Sequence, residues 1–206
     1  KAIVRASGSY ALLGGGFDLD LGVEAERLVT GIAQADLLLT GPSTLLAQAV
    51  RDETGLSLSG LAVSVASLRL SGEGKMTSGG STFDGKLNWG DLSDLGGAYG
   101  GALSAQVSFA GTPENGRAEV EGTGQNLRIG QAEVDRLLAG ASELFAEVAI
   151  ADGAARLAGL RLKTPQVSAD VTDAGGGALN VTGRLANLAL IAPEFPGPVS
   201  LSGRVR

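Results

Sequence analysis

Apolar and polar residues alternate with period two along most of this chain, the spacing expected of strands that bury one face only. In Gly16-Phe17-Asp18-Leu19-Asp20-Leu21, the residues Phe17, Leu19 and Leu21 fall on one side, and Asp18 and Asp20 on the other. Gly55-Leu56-Ser57-Leu58-Ser59 repeats the arrangement with serines outward. Leu61, Val63 and Val65 are out of phase with Leu56 and Leu58, which predicts a turn or bulge at Gly60. Leu68-Arg69-Leu70 resumes after another one-residue shift. Leu103, Ala105, Val107 and Phe109 alternate with Ser104, Gln106 and Ser108, and Leu160 to Lys163 and Val167 to Val171 continue the theme. Turn formers separate these runs at Gly14-Gly15-Gly16, Ser78-Gly79-Gly80, Pro113 to Gly116 and Asp173 to Gly177.

Two segments, Ile32 to Leu39 and Ala132 to Leu138, fit a short helix better, the second with Val134, Leu137 and Leu138 on one face. Ser43 to Arg51 and Ser142 to Ala151 contain good helix formers. Leu144, Ala146, Val148 and Ile150 nevertheless alternate, and Asp152-Gly153 suits a hairpin turn, so strands are expected there.

The pattern also recurs as a whole. Residues 3–70 superpose on 102–169 without a gap at an interval of 99, with 16 of 68 pairs identical. Chance pairing in this composition gives roughly a tenth, so an internal repeat is expected. Its units are 1–99 and 100–197, with the start of a third at 198–206, all read as one continuous module. Lys1-Ala2-Ile3-Val4 and Val199 to Val205 both read as strand interiors, so the sequence is expected to be cut from a longer protein.

Composition narrows the chemistry. The chain is 44% hydrophobic and 18% charged, with 33 glycines and 4% aromatics, which favours short strands and tight turns over helices. The net charge of −6 is spread thinly, without the basic clusters that phosphate backbones require, so nucleic acid is not an expected partner. With no histidine and no cysteine, a Ser-His-Asp relay, a histidine-bearing metal site and thiolate chemistry are excluded. Gly80 to Lys86 imitates the start of a phosphate loop, but Leu87 stands where Ser or Thr should bind the metal, and a hairpin is the better account. Asp18 with Asp20 reads as a solvated strand face, Asp52 with Glu53 as a turn, and Trp89 and Tyr99 as packing. No enzymatic activity and no cofactor or metal are expected.

An ordinary sandwich core would account for one-sided strands. The smooth Leu/Val/Ala lining and the open-ended repeat fit better an elongated, curved, antiparallel-rich sheet with an apolar concave groove. Phe195-Pro196-Gly197-Pro198-Val199-Ser200-Leu201-Ser202-Gly203-Arg204-Val205 resembles a recurring phrase of the TamB family, subunits of the translocation and assembly module related to AsmA-like proteins. Gly159 to Val171, Leu92 to Gly101 and Leu137-Leu138-Ala139-Gly140 resemble that family too. The resemblance implies a long folded sheet, the β-taco, in a bridge-like lipid transporter of the Gram-negative periplasm. It further implies an N-terminal inner-membrane anchor and an outer-membrane barrel partner of the TamA type, both engaged through regions outside this sequence. The family supplies no catalytic residues.

The expected function is therefore to shelter phospholipid acyl chains in transit between the two membranes. Leu56, Leu58, Val63, Val65, Leu103, Val107, Leu160, Leu162 and Val167 are the residues expected to line the groove. Two rival expectations are a module that offers strand edges to assembling outer-membrane proteins and a section of a surface adhesin stalk with a filled core.

Overall fold

The computed structural model describes residues 2–11, 15–27 and 33–205, with backbone alone for 33–35. Its strands are β1 (Ala2–Tyr10), β2 (Phe17–Glu26), β3 (Pro42–Asp52), β4 (Gly55–Val65), β5 (Leu68–Thr77), β6 (Gly80–Trp89) and β7 (Gly100–Gly111). They continue as β8 (Gly116–Arg128), β9 (Ala141–Ala151), β10 (Ala154–Lys163), β11 (Val167–Asp173), β12 (Leu179–Leu185) and β13 (Val199–Val205). All thirteen form one antiparallel sheet whose spatial order is the sequence order. The sheet is open and uncurled where a curved one was expected, with β1 at one edge and β13 at the other. Mainly β structure was expected from the alternation, and the segments around Ser43–Arg51 and Ser142–Ala151 are strands.

The two short helices, α1 (Ala33–Leu38) and α2 (Ala132–Leu137), fall inside the segments that resisted a strand reading, each ending one residue early. Ile32 and Gly14 lie outside the described residues. Both helices, and the 3₁₀ turns Leu92–Leu95 and Leu188–Leu190, sit in connections at the same end of the sheet. The opposite end has short turns. There, Asp152 and Gly153 take φ of 53° and 72°, the left-handed pair that matches the twist of a two-residue hairpin. At the β3–β4 turn the Asp52 carboxylate accepts hydrogen bonds from the Thr54 hydroxyl and amide, both at 2.7 Å. The Thr54 hydroxyl and then its amide hold that carboxyl below the usual carboxylate range.

The Gly60 phase break is a bulge inside β4, with φ of 59° at Gly60, and not the end of a strand. A second bulge interrupts the pairing of β10 with β9 between Leu157 and Gly159. Each inserts one extra residue, so the side chains after it return to the face they left. The later shift at Leu68 is a hairpin turn through Ala66, whose φ is 48°.

Packing concentrates at the end that carries the helical links. Among the described residues, the buried apolar residues Ala25, Val65, Leu127, Leu138 and Leu185 lie there, together with buried Ser43 and Ser142, whereas Ala47 and Ala105 are buried in mid-strand and Ala178 in the β11–β12 turn at the opposite end. Leu127 folds back over Gly124, where an added Cβ would meet its side chain at 2.5 Å. The links are tied to the intervening turns by hydrogen bonds. Ser67 donates from its amide and hydroxyl to Asp94, and the Thr164 hydroxyl donates to the Leu137 carbonyl. A compact monomer of 20.6 kDa exposes about 8,900 Å², whereas this chain exposes 12589 Å². Most of the sheet is therefore uncovered.

Candidate functional site

Directly paired residues of an antiparallel sheet point to the same side, and neighbours along a strand to opposite sides, so the registers assign every strand residue to a face. One row runs Val23, Leu45, Val63, Leu70, Leu87, Ala105, Gly122 and Leu144. It continues through Leu162, Ala169, Gly183 and Leu201. The adjoining rows on that side are apolar too, apart from Ser43 and Ser142 toward the links. In the paired registers of the thirteen strands, only Arg51 and Asp173 bring charge to this face, both at the short-turn end.

All nine candidate lining residues lie on this one face. Leu56 and Leu58 stand opposite Arg51 and Ala49, and Val63 and Val65 opposite Leu45 and Ser43. Leu103 and Val107 follow opposite Trp89 and Gly85, and Leu160 and Leu162 opposite Ala146 and Leu144. Val167 pairs with Leu185. The β4 bulge is what unites Leu56 and Leu58 with Val63 and Val65. Val65 is buried near the links, Leu160 is 36% exposed, and the other seven are half-buried.

The floor has a feature that alternation did not reveal. Phe83 lies flat against the sheet, its ring over Gly72, Gly74 and Gly85. Any Cβ built on those glycines would meet the ring at 2.7, 3.4 and 2.8 Å respectively. Phe109 lies over Gly116 in the same manner, at 3.0 Å. The signal for this was present as glycines in phase with apolar residues, such as Gly72 and Gly74 after Leu68 and Leu70. It leaves a low aliphatic and aromatic surface without upright bulk.

The opposite face is polar and laced with exposed ion pairs, such as Arg5 with Glu24 and Lys163 with Glu143. Arg117 donates from Nε to Glu147 at 2.8 Å, and that carboxylate holds the guanidinium above its usual value. Asp18 and Asp20 belong to this exposed side, where Asp18 accepts from Gln48 at 3.1 Å. Hollows of about 620 and 550 Å³ lie on the polar side, between upstanding side chains including Lys86, Gln106 and Glu121. Gly80 to Lys86 is part of strand β6. Among the described residues, no helix is long and apolar enough to cross a membrane.

Comparison with family models, with curated proteins and with solved structures finds no match. Function therefore rests on the faces of the sheet.

Among the described residues, three buried donors without partners lie along the margin where the links cover the apolar face: the Ser43 and Ser142 hydroxyls and the Trp89 indole N–H. Ser142 is only 1% exposed. A buried hydroxyl without a partner costs about 1–3 kcal/mol. Ser142→Ala should therefore raise stability by about 1 kcal/mol in urea denaturation, and a loss of stability would show that the hydroxyl has a partner.

Proposed function

We propose that this sheet is a section of a periplasmic bridge whose apolar face shelters phospholipid acyl chains on their way between the inner and outer membranes. The observation that carries the proposal is the unbroken apolar face across thirteen strands, which no other part of the described chain covers beyond its link-bearing margin. Monomeric proteins seldom expose apolar patches beyond a few hundred Å², and larger ones mark sites of interaction with proteins or membranes. Each methylene removed from water gains about 0.8 kcal/mol, so a bare acyl chain faces a steep barrier that a continuous apolar floor lowers. A uniform Leu/Val/Ala surface also offers no deep well in which a chain would stall.

In this reading the sheet bends along its length into a trough, and the links at one end form its rim. Units of 1–99 and 100–197 place α1 and α2 at equivalent points of that rim. The headgroup stays in water at the open side, as it does at a membrane surface. The resemblance of Phe195 to Val205 to the TamB family supports such a trough.

The test is to purify the chain from a Gram-negative host without detergent and to identify bound lipids by mass spectrometry. Co-purifying phospholipid at near-stoichiometric amounts is the expected outcome. Folded protein that never carries lipid, and takes none from vesicles, sinks the proposal in favour of the edge-pairing module or the stalk.

A further inference from the structure

The polar face carries a second feature, independent of the lipid path because it lies on the other side of the sheet. The registers set Lys86, Gln106, Glu121, Phe145 and Arg161 side by side on five consecutive strands, β6 to β10. Neighbouring strands are about 4.8 Å apart, so these side chains form a straight row across the strands at a fixed step. The row runs along the two hollows of about 620 and 550 Å³, which share Lys86, Gln106, Glu121 and Phe145.

Phe145 is the one aromatic residue in either lining. On an otherwise hydrophilic surface it has no apolar neighbours to join. Its ring lies low against β10, with Cε1 3.7 Å from where a Cβ would stand on Gly159. The Arg161 guanidinium sits over the ring, 5.4 Å from its centroid. Beside this platform, the side chains of Lys86, Gln106 and Glu121 make no hydrogen bond or ion pair with any described residue. Together they offer an ammonium donor, an amide that both donates and accepts, and a carboxylate acceptor.

We infer that this row binds a linear, uncharged, hydroxyl-rich polymer, a neutral glycan, laid across the strands. Hydroxyls donate and accept, so they satisfy all three side chains at once, and a sugar ring set on Phe145 in place of the exposed Arg161 guanidinium would turn its polarised C–H face to the negative face of the aromatic ring. Charge argues against a polyanion: the two linings hold five carboxylates (Glu73, Asp84, Glu119, Glu121 and Glu143) against three cations (Lys86, Arg161 and Lys163). A protein partner would need a cluster of buried apolar anchors, and Phe145 stands alone.

Native affinity electrophoresis through gels containing hydroxyethyl cellulose, pullulan or laminarin tests this, with hyaluronate and polylysine as charged controls. At least one neutral polymer should retard the protein. Gln106→Ala and Phe145→Ala should each weaken that retardation roughly fivefold to tenfold. Val63→Arg, on the other face, should leave it unchanged, so loss of lipid binding and loss of glycan binding are separable. No retardation by any neutral polymer overturns the inference. So does retardation by the charged controls alone, or equal retardation of wild type and Gln106→Ala, whose exposed side chain is not needed for folding.

Discussion

Val63→Arg is expected to lower phospholipid capture by about a hundredfold while leaving the sheet folded. Val63 lies in the central row of the apolar face, half-buried between Leu45 on one neighbouring strand and Leu70 on the other. A guanidinium placed in contact with acyl chains costs about 2.5–3.5 kcal/mol on insertion scales, which is roughly two powers of ten in occupancy. The unliganded sheet tolerates it, because a long side chain on an uncovered face can lay its methylenes along the leucines and keep its charge in water. Leu162→Arg should act alike, since Leu162 occupies the same cross-strand row on β10. Ser64→Arg is the control: one residue along β4, it opens on the polar face opposite Arg69 and should change nothing. Partition of a fluorescent phospholipid into each protein measures the effect. If Val63→Arg and Ser64→Arg bind equally, lipid does not travel over this face. If both unfold, as circular dichroism would show, Leu201→Arg on the exposed edge strand β13 makes the same comparison, for Leu201 is 66% exposed.

The strands were legible because alternation is a strong signal when one face is greasy and the other charged. The face itself was harder to follow. Reading the phase from Leu58 to Leu61 without the turn or bulge expected at Gly60 sends Val63 and Val65 to the polar side, and pairing with β3 and β5 decides for the bulge. A one-residue slip inverts a whole strand, so lining residues chosen strand by strand needed the register to become one surface. Residues whose role depends on distant partners were not legible at all. Phe145 interrupts a polar row only once β9 is set between β8 and β10. Phe83 forms a floor only with glycines on its own strand and its neighbour. The helical links were found because Ala132 to Leu138 breaks the alternation, but their packing against one another is tertiary.

Gly85→Ala puts that floor to a direct test. Gly85 is buried and its missing side chain would stand on the apolar face, 2.8 Å from Cε1 of Phe83 and 3.2 Å from the Ser71 carbonyl. The first contact is too short, so the ring must lift off the sheet. The second is tight, and it remains whatever the ring does. Overfilling of a packed contact of this kind costs about 1–3 kcal/mol, which in a chain of this size lowers the melting temperature by roughly 5 °C. Ring and glycine are coupled, so the penalty should fall to a few tenths of a kcal/mol when Gly85→Ala is made in a Phe83→Ala background. The cycle separates two geometries that single variants confuse. A ring lying flat gives a large coupling, and an upright ring gives none, since the added methyl would then meet only the Ser71 carbonyl. The same substitution bears on function without adding charge. A lifted Phe83 ring raises a ridge in the middle of the apolar face, so Gly85→Ala should slow lipid exchange more than it weakens lipid binding. Phe83→Ala should restore exchange in the double variant. A ridge obstructs movement along a trough but leaves the apolar area on either side intact, so the contrast between exchange rate and occupancy distinguishes a path for lipids from a static greasy patch.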